Sequence, residues 1–352
     1  MSRVLIGSTN WRGASRPGKC GLYRYDGADG GWSHVDQLSG ASAQAIVTDP
    51  RTGTIFVGTS AGVYRSQDRG DSWAASGTGS EGHAIWSIFL HPARAGVIFA
   101  GTGPRGLLYS ADGGETWVAA TLDPSAQSFD LADDGVTLLP FSARVTSIAA
   151  DMDRPDMIYA SVEVEGLLRS RDGGRTWHDC SAALLELADA EHLQPKIGQM
   201  DARKSMADGH AVLASKGRLF YANRLGLFRS EDCGDSWEDV RLDRFSPLTY
   251  VRSVIASPAD PATLYAALSL RSGGDCGTIW KSRDMGASWS RMDRDMEADS
   301  TIMALSAHPR DAALLYAASY NGQLFGTRDD GRTWQTVSGP AEAGESYAVA
   351  IL

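Results

Sequence analysis

The amino-acid sequence predicts an all-β chain folded as a seven-bladed β-propeller with four-stranded antiparallel blades. Three observations carry that expectation. An eight-residue pattern ending in tryptophan recurs six times, and a degenerate seventh copy lies near the N-terminus. The seven tryptophans are separated by 41, 44, 60, 60, 52 and 45 residues, and the shorter spacings suit one four-stranded blade per repeat. Among the 352 residues are 39 glycines that punctuate short apolar runs, as many tight turns between short strands require.

The six full copies run Ser66–Trp73, Ser110–Trp117, Ser170–Trp177, Ser230–Trp237, Ser282–Trp289 and Thr327–Trp334. Each has a hydroxyl residue first, Asp third, Gly fifth, Ser or Thr seventh and Trp last. The degenerate copy is Tyr25–Trp32. The spacing suits a self-contained turn. The Asp carboxylate accepts from backbone N–H groups of its own turn, and the Gly supplies a left-handed φ without steric cost. The Trp buries a large surface against a neighbouring blade. These residues therefore read as scaffold rather than as calcium or substrate ligands.

Each copy sits in a longer unit. In Gln44–Pro50, Thr54–Gly58, Gly62–Ser66 and Ser72–Ala75 four short strands, A to D, follow one another. The chain begins with strands B, C and D but no A, the first being Arg3–Gly7, and it ends with a lone A-like segment, Ser346–Leu352. The two ends complement each other. The C-terminal segment 346–352 is expected to complete the N-terminal blade over residues 3–37, closing the ring and removing open sheet edges.

The pattern resembles the BNR/Asp-box superfamily, and the resemblance covers almost the whole chain. That group includes sialidases, other glycosidases, sortilin-type receptors and photosystem II assembly factors. Units such as Ile158–Ser170 look most like bacterial BNR-repeat proteins labelled as glycosyl hydrolases. The resemblance implies the fold; a propeller hosts many activities, so it does not by itself imply chemistry.

Composition narrows the function classes. Hydrophobic residues make up 43% and charged residues 22%, enough for a soluble chain with a large core. The net charge of −10 argues against nucleic acid and anionic membranes as partners, because both require basic surfaces. Cys20, Cys180, Cys233 and Cys276 are scattered, so neither a zinc site nor a disulfide framework is expected. No cofactor or metal is expected. No apolar run has the length of a membrane span, and the first ten residues lack a leader pattern, so a cytoplasmic protein is expected.

Alternation of strand direction places the A–B and C–D turns, and so the tryptophan-ended turns, on one face. The B–C loops and D-to-A connections lie on the other, where binding residues belong. Both 60-residue spacings add chain on that second face. The insertion at about 120–143, with Asp123-Pro124, Asp133-Asp134-Gly135 and Pro140, reads as an irregular loop. The insertion at about 181–208 opens with Ser181–Glu191, which reads as a capped helix of two to three turns. Each either overhangs the channel as a lid or is a plain surface excursion.

Aligning the blades exposes two positions near the axis. In strand A the residue before a small one is Gln44, Trp86, Thr146, His210, Arg252 or Met303. In strand B a small residue recurs at Gly7, Gly58, Gly101, Ser161, Ala222, Ala267 and Ala318; two residues on come Thr9, Ser60, Gly103, Glu163, Arg224, Ser269 and Tyr320. Scaffold positions repeat around a ring, whereas one asymmetric ligand demands unlike neighbours. The ligand-binding candidates are therefore Trp86, Arg144, Arg224, Arg252, Arg271 and Trp11, with Glu163, His210 and Tyr320 as candidates for catalysis. The bland alternative for each is a side chain lining a water-filled tunnel.

Three functions remain open. The first is a recognition module that binds a small molecule, glycan or peptide at the channel mouth, using aromatics for stacking and arginines for carboxylates. The second is a glycosidase, which needs two opposed carboxylates. Glu163 is the first candidate and Glu165 the next, with Asp123, Asp130, Asp133, Asp134, Glu186 or Glu191 as possible second members. A Tyr–Glu pair of Tyr320 or Tyr250 with Glu163 belongs to this reading. A typical sialidase is not expected, because the Arg-Ile-Pro signature is absent. The third is a metal-assisted hydrolase or lyase centred on His210 and Glu163.

Overall fold

Each short apolar run of the sequence becomes one strand, and the strands gather into seven sheets. A computed structural model describes residues 3–10, 18–27, 30–123, 142–195 and 201–352. Blade 2 shows the plan: strand A is Ala43–Thr48, B is Ile55–Thr59, C is Gly62–Ser66 and D is Ala74–Ala75, hydrogen-bonded in that order. Blades 3 to 7 repeat it, with inner strands Ala84–Leu90, Val145–Asp151, Gly209–Ser215, Tyr250–Ala256 and Ile302–Ala307.

Blade 1 is built from both ends of the chain. Strand A is Glu345–Ile351, paired antiparallel with strand B, Val4–Thr9, through partners such as Val4 with Ile351 and Ile6 with Val349. Leu352 N–H also donates to the Arg3 carbonyl at 3.0 Å. The predicted closure is therefore the one the fold uses, beginning one residue earlier than the apolar pattern indicated.

The six full repeats form one turn geometry. In Ser170–Trp177, Asp172 Oδ1 accepts from the N–H groups of Arg175 and Thr176, both at 3.0 Å. The hydroxyls of Ser170 and Thr176 donate to Asp172 at 2.8 and 2.7 Å, and Gly174 N–H donates to the Ser170 hydroxyl at 2.8 Å. Gly174 has φ +91°, which makes glycine the residue for this place. The residue before it is left-handed as well, even where it is not glycine: Arg69, Cys233, Met285 and Asp330 have φ of 60°, 66°, 56° and 61°. In the degenerate first copy, Asp26 instead pairs with Arg3 at 2.6 Å and Arg24 at 2.8 Å.

Each tryptophan reaches the blade before its own. Trp32, Trp73, Trp117, Trp177, Trp237, Trp289 and Trp334 share hydrophobic clusters with Tyr316, Leu5, Phe56, Phe99, Tyr159, Phe220 and Tyr265 respectively. Those seven partners occupy one position, two residues before the small residue of strand B. The small residue itself is set by close approach. A Cβ on Gly58 would stand 2.6 Å from the Ile85 side chain of the next inner strand, and one on Gly101 would stand 2.5 Å from Val145.

The two insertions differ from their sequence reading. The start of the first is not irregular: Thr121–Leu122 adds a fifth strand to blade 4, parallel to Thr176–Asp179. Residues 124–141, which include Asp130, Asp133, Asp134 and Pro140, lie outside the described residues. In the second, the α-helix covers only Ala182–Glu186 and gives way to short 3₁₀ turns at Leu187–Asp189 and Glu191–Leu193. Ser181 does not cap it; its hydroxyl accepts from Leu167 N–H at 2.8 Å and donates to Asp179 at 2.6 Å. A sheet edge takes the hydroxyl that the isolated pattern offered to the helix. Leu184, Leu185, Ala188, Leu193 and Met206 of this insertion are buried among Leu167, Tyr221 and Phe228, so its described part is packed against the blades rather than free.

Two outcomes test this account. Deleting residues 345–352 leaves Val4–Thr9 as an unpaired inner edge, so circular dichroism should show loss of the cooperative thermal transition; an unchanged melting temperature would mean that the ring closes differently. The second concerns acid. The carboxyls of Asp68, Asp112, Asp232 and Asp329 are held down at about 2, first by the hydroxyls of Ser72, Thr116, Ser236 and Thr333. A carboxyl depressed by folding stabilises the fold above its unfolded value near 3.8 and loses that contribution as the pH falls towards 2. Melting temperature should therefore fall steeply between about pH 4 and pH 2, and less steeply when Asp112 and Asp329 are both changed to Asn.

Candidate functional site

All seven inner strands carry the same irregularity. Pairing of strand A with strand B skips one residue, which is Gln44, Trp86, Thr146, His210, Arg252, Met303 or Tyr347 in turn. A bulge takes its extra residue out of the alternation and re-aims the side chain. Here all seven line one axial cavity of about 190 Å³, at the end of strand A away from the tryptophan-ended turns. Three of the sequence candidates, Trp86, His210 and Arg252, are thus brought together. Tyr347 was missed. Its signal was present, since Ala348 is the small residue that follows, but the closing strand stood outside the blade alignment.

A second tier lies two residues before each bulge. Here the backbone sets the end of strand B against the entry to strand A, as Glu163 N–H donates to the Arg144 carbonyl and Tyr320 N–H to the Thr301 carbonyl. In blade 4 the pair is Arg144 with Glu163, in blade 5 Asp208 with Arg224, and in blade 1 Glu345 with Thr9. The candidates Glu163, Tyr320, Arg144 and Arg224 sit in this tier.

Its carboxylates are all engaged. Arg144 Nε donates to Glu163, and both are buried; the guanidinium also lies 3.8 Å above the Trp86 ring. Arg224 donates to Asp208 through Nε at 3.0 Å and Nη2 at 2.8 Å. Tyr320 Oη donates to Glu345 at 2.6 Å, with the Thr9 hydroxyl at 3.4 Å. The phenol of Tyr320 is therefore matched to Glu345. Glu165 takes Arg105 at 2.5 Å, and burial pushes its carboxyl up despite that arginine.

His210 is held on two sides. Its Nδ1 is 2.8 Å from the Val251 carbonyl, which can only accept, so Nδ1 carries a hydrogen. Its Nε2 faces Asp208 at 3.6 Å, and its ring packs 4.5 Å from that of Tyr250. Burial acts to raise the Asp208 carboxyl, but hydrogen bonding to His210 and the charges of His210 and Arg224 hold it well below the usual range. Among the described residues no three His, Cys, Asp or Glu side chains are grouped to hold a metal.

Arg252 differs from the other interior arginines. Its guanidinium carbon lies 5.7 Å from the Tyr347 ring centroid. Burial disfavours its charge, but Tyr250, Glu163, Tyr347 and Asp208 outweigh that effect and keep it protonated. Trp86 meets Tyr347 edge-on at 5.9 Å, and Tyr320 meets Tyr347 at 6.4 Å, so an aromatic wall faces the arginine.

Other candidates lie elsewhere. Arg271 borders a narrow groove of about 40 Å³ between blades 5 and 6, shared with Arg224, Tyr250, His192 and Leu270. Asp123 and Glu186 line an outer cleft with His178 and Arg203. Trp11 lies outside the described residues.

Comparison with known proteins agrees with the architecture. The family described as sortilin, neurotensin receptor 3, matches residues 226–347, about a third of the chain. The xyloglucanase Xgh74A of Acetivibrio thermocellus is 23% identical over 77% of this chain and 35% of its own length. The GH74 xyloglucanase from Xanthomonas campestris superposes with a TM-score of 0.61 at 18% identity, covering 85% of this chain and 45% of that one. YCF48 from Cyanidioschyzon merolae superposes with a TM-score of 0.56 at 14% identity, covering 84% and 85%; a structure of YCF48 bound to D1 peptide scores 0.53. This chain is a β-propeller. It spans less than half the length of the xyloglucanases it matches.

The ion pair separates a structural role from a chemical one. Glu163→Leu strands the buried Arg144 charge and should cost about 3–5 kcal/mol in urea unfolding. The double change Arg144→Leu with Glu163→Leu should recover most of that loss. A single substitution without measurable cost would free Glu163 for another role.

Proposed function

We propose that this protein is a ligand-recognition propeller that binds a polar ligand, carbohydrate or peptide-like, at the channel mouth opposite the tryptophan-ended turns. One observation carries the reading. Seven equivalent bulges deliver seven unlike side chains into a single cavity. A sevenfold scaffold has no need for chemically different residues at one position, whereas an asymmetric ligand does.

The comparisons support the reading in outline. They include xyloglucanases and a propeller bound to a peptide. A glycosidase needs one carboxyl ready to donate a proton and another opposed to it across the bond. Glu163, Asp208 and Glu345 are each committed to an arginine, a histidine or a phenol of this chain, which suits positioning better than proton transfer.

Glycan and peptide arrays probed with the labelled protein test the proposal. Trp86→Ala should weaken the selected ligands about tenfold, equivalent to about 1.4 kcal/mol. Arg175→Ala, on the opposite face, should leave them unchanged. Ligands indifferent to Trp86 but lost with Arg175 would place recognition on the wrong face and end this reading.

A further inference from the structure

We infer that the axial cavity is a carboxylate site anchored by Arg252, and that its ligand is a small hydroxylated acid of about one sugar unit. The inference rests on the recognition reading above and names the chemistry of that same site. Of the three interior arginines around the channel, Arg144 is matched by Glu163 and Arg224 by Asp208. Arg252 has no ion pair or hydrogen bond to any described residue, and its one close partner is the face of Tyr347. At 5.7 Å from that ring the guanidinium spends none of its five N–H donors on it, and Arg252 lines the cavity.

Arg252 is partly buried, and an arginine in such a place ordinarily has a carboxylate partner, as Arg144 and Arg224 do. The two nearest carboxylates do not come to it, because Asp208 and Glu163 are already held by their own arginines. Their charges still act on Arg252 and keep it protonated. The result is a fixed cation with free donors in a fork that matches a carboxylate bidentately.

The rest of the lining selects the body of the ligand. Gln44 and Ser253 line it with neutral polar groups, Thr146 keeps acceptor capacity beside the bond that its hydroxyl donates to the Gly209 carbonyl, and Trp86 with Tyr347 offers aromatic surface. The volume of about 190 Å³ is below that of pockets for drug-sized ligands, so it suits a single small unit. Neutral polar groups beside aromatic surface suit the hydroxyls and the C–H face of a sugar acid better than an amino-acid-derived acid.

Titration calorimetry with D-glucuronate, D-glucose and N-acetylglycine, together with thermal melting, tests this. Glucuronate should bind at least tenfold more tightly than either of the others and should raise the melting temperature of the wild-type protein. Arg252→Gln should lose at least tenfold on glucuronate and change nothing for glucose. Arg252→Met should keep a cooperative melting transition near the wild-type temperature and should lose the shift caused by glucuronate. Equal binding of glucuronate and glucose, glucuronate binding that survives Arg252→Gln, or preference for N-acetylglycine overturns the inference. So does a melting temperature that drops sharply in Arg252→Met, because that would make the charge structural. Recognition at the channel mouth fails separately, through array ligands insensitive to Trp86→Ala.

Discussion

The structure depends on one contact made seven times: an indole from the outer edge of a blade resting on strand B of the blade before it. In the six full copies the turn that carries the indole is tied down by its own aspartate, as Asp172 does for Trp177. Burying an aromatic of this size stabilises by several kcal/mol, and truncating one to alanine costs about 3–5 kcal/mol. Because the contact always points backwards, the series is complete only when the first blade has a predecessor. Trp32 meets Tyr316 of blade 7, and its Nε1 donates to the Ser338 carbonyl at 2.8 Å. The closing strand matters for the same reason. It supplies the missing inner edge, and Leu352 packs beside Trp73 and Leu5 in the next contact of the series.

A ring fastened from its outer parts leaves its axis open to variation. The seven bulges are backbone features, and small residues beside them keep the inner strands close. Ser87 Oγ donates to the Val145 carbonyl of the next blade at 2.9 Å, and Ser147 Oγ to Val212 at 3.2 Å. With the spacing settled by these neighbours, the bulged place accepts side chains as unlike as Gln44, Arg252 and Met303, while Thr146 and His210 add bonds of their own to Gly209 and Val251 of the next blade.

Electrostatics in the second tier complete the site. Blade 4 sets an arginine at the entry to strand A against a glutamate at the end of strand B; blade 5 sets an aspartate at the entry to strand A against an arginine at the end of strand B. The two pairs have opposite polarity on the same backbone positions, so each is neutral and the local field is patterned. Asp208 also stands between two recesses: His210 on one side lines the axial cavity, and Arg224 on the other borders the groove that holds Arg271. The arginine without a carboxylate partner is the one at the centre.

The sequence by itself determined the blade count, the strand order within a blade and the joining of the two chain ends, because these follow from short-range patterns. A turn that satisfies its own aspartate and a strand that alternates are readable without neighbours. The ring of unlike residues was legible for the same reason: it repeats at one offset from a small residue. What the tertiary structure alone decided was partnership. The indole contact with Leu5, Phe56 and their equivalents joins residues of different blades, and no local pattern marks it. The matching of Glu163 to Arg144, of Tyr320 to Glu345 and of Ser181 to a sheet edge rather than a helix end likewise depends on which strands meet. Arg144, Arg224, Arg252 and Arg271 are alike as letters; only their surroundings distinguish two neutralised charges, one surface charge and one cation facing a cavity, because desolvation and pairing are properties of place.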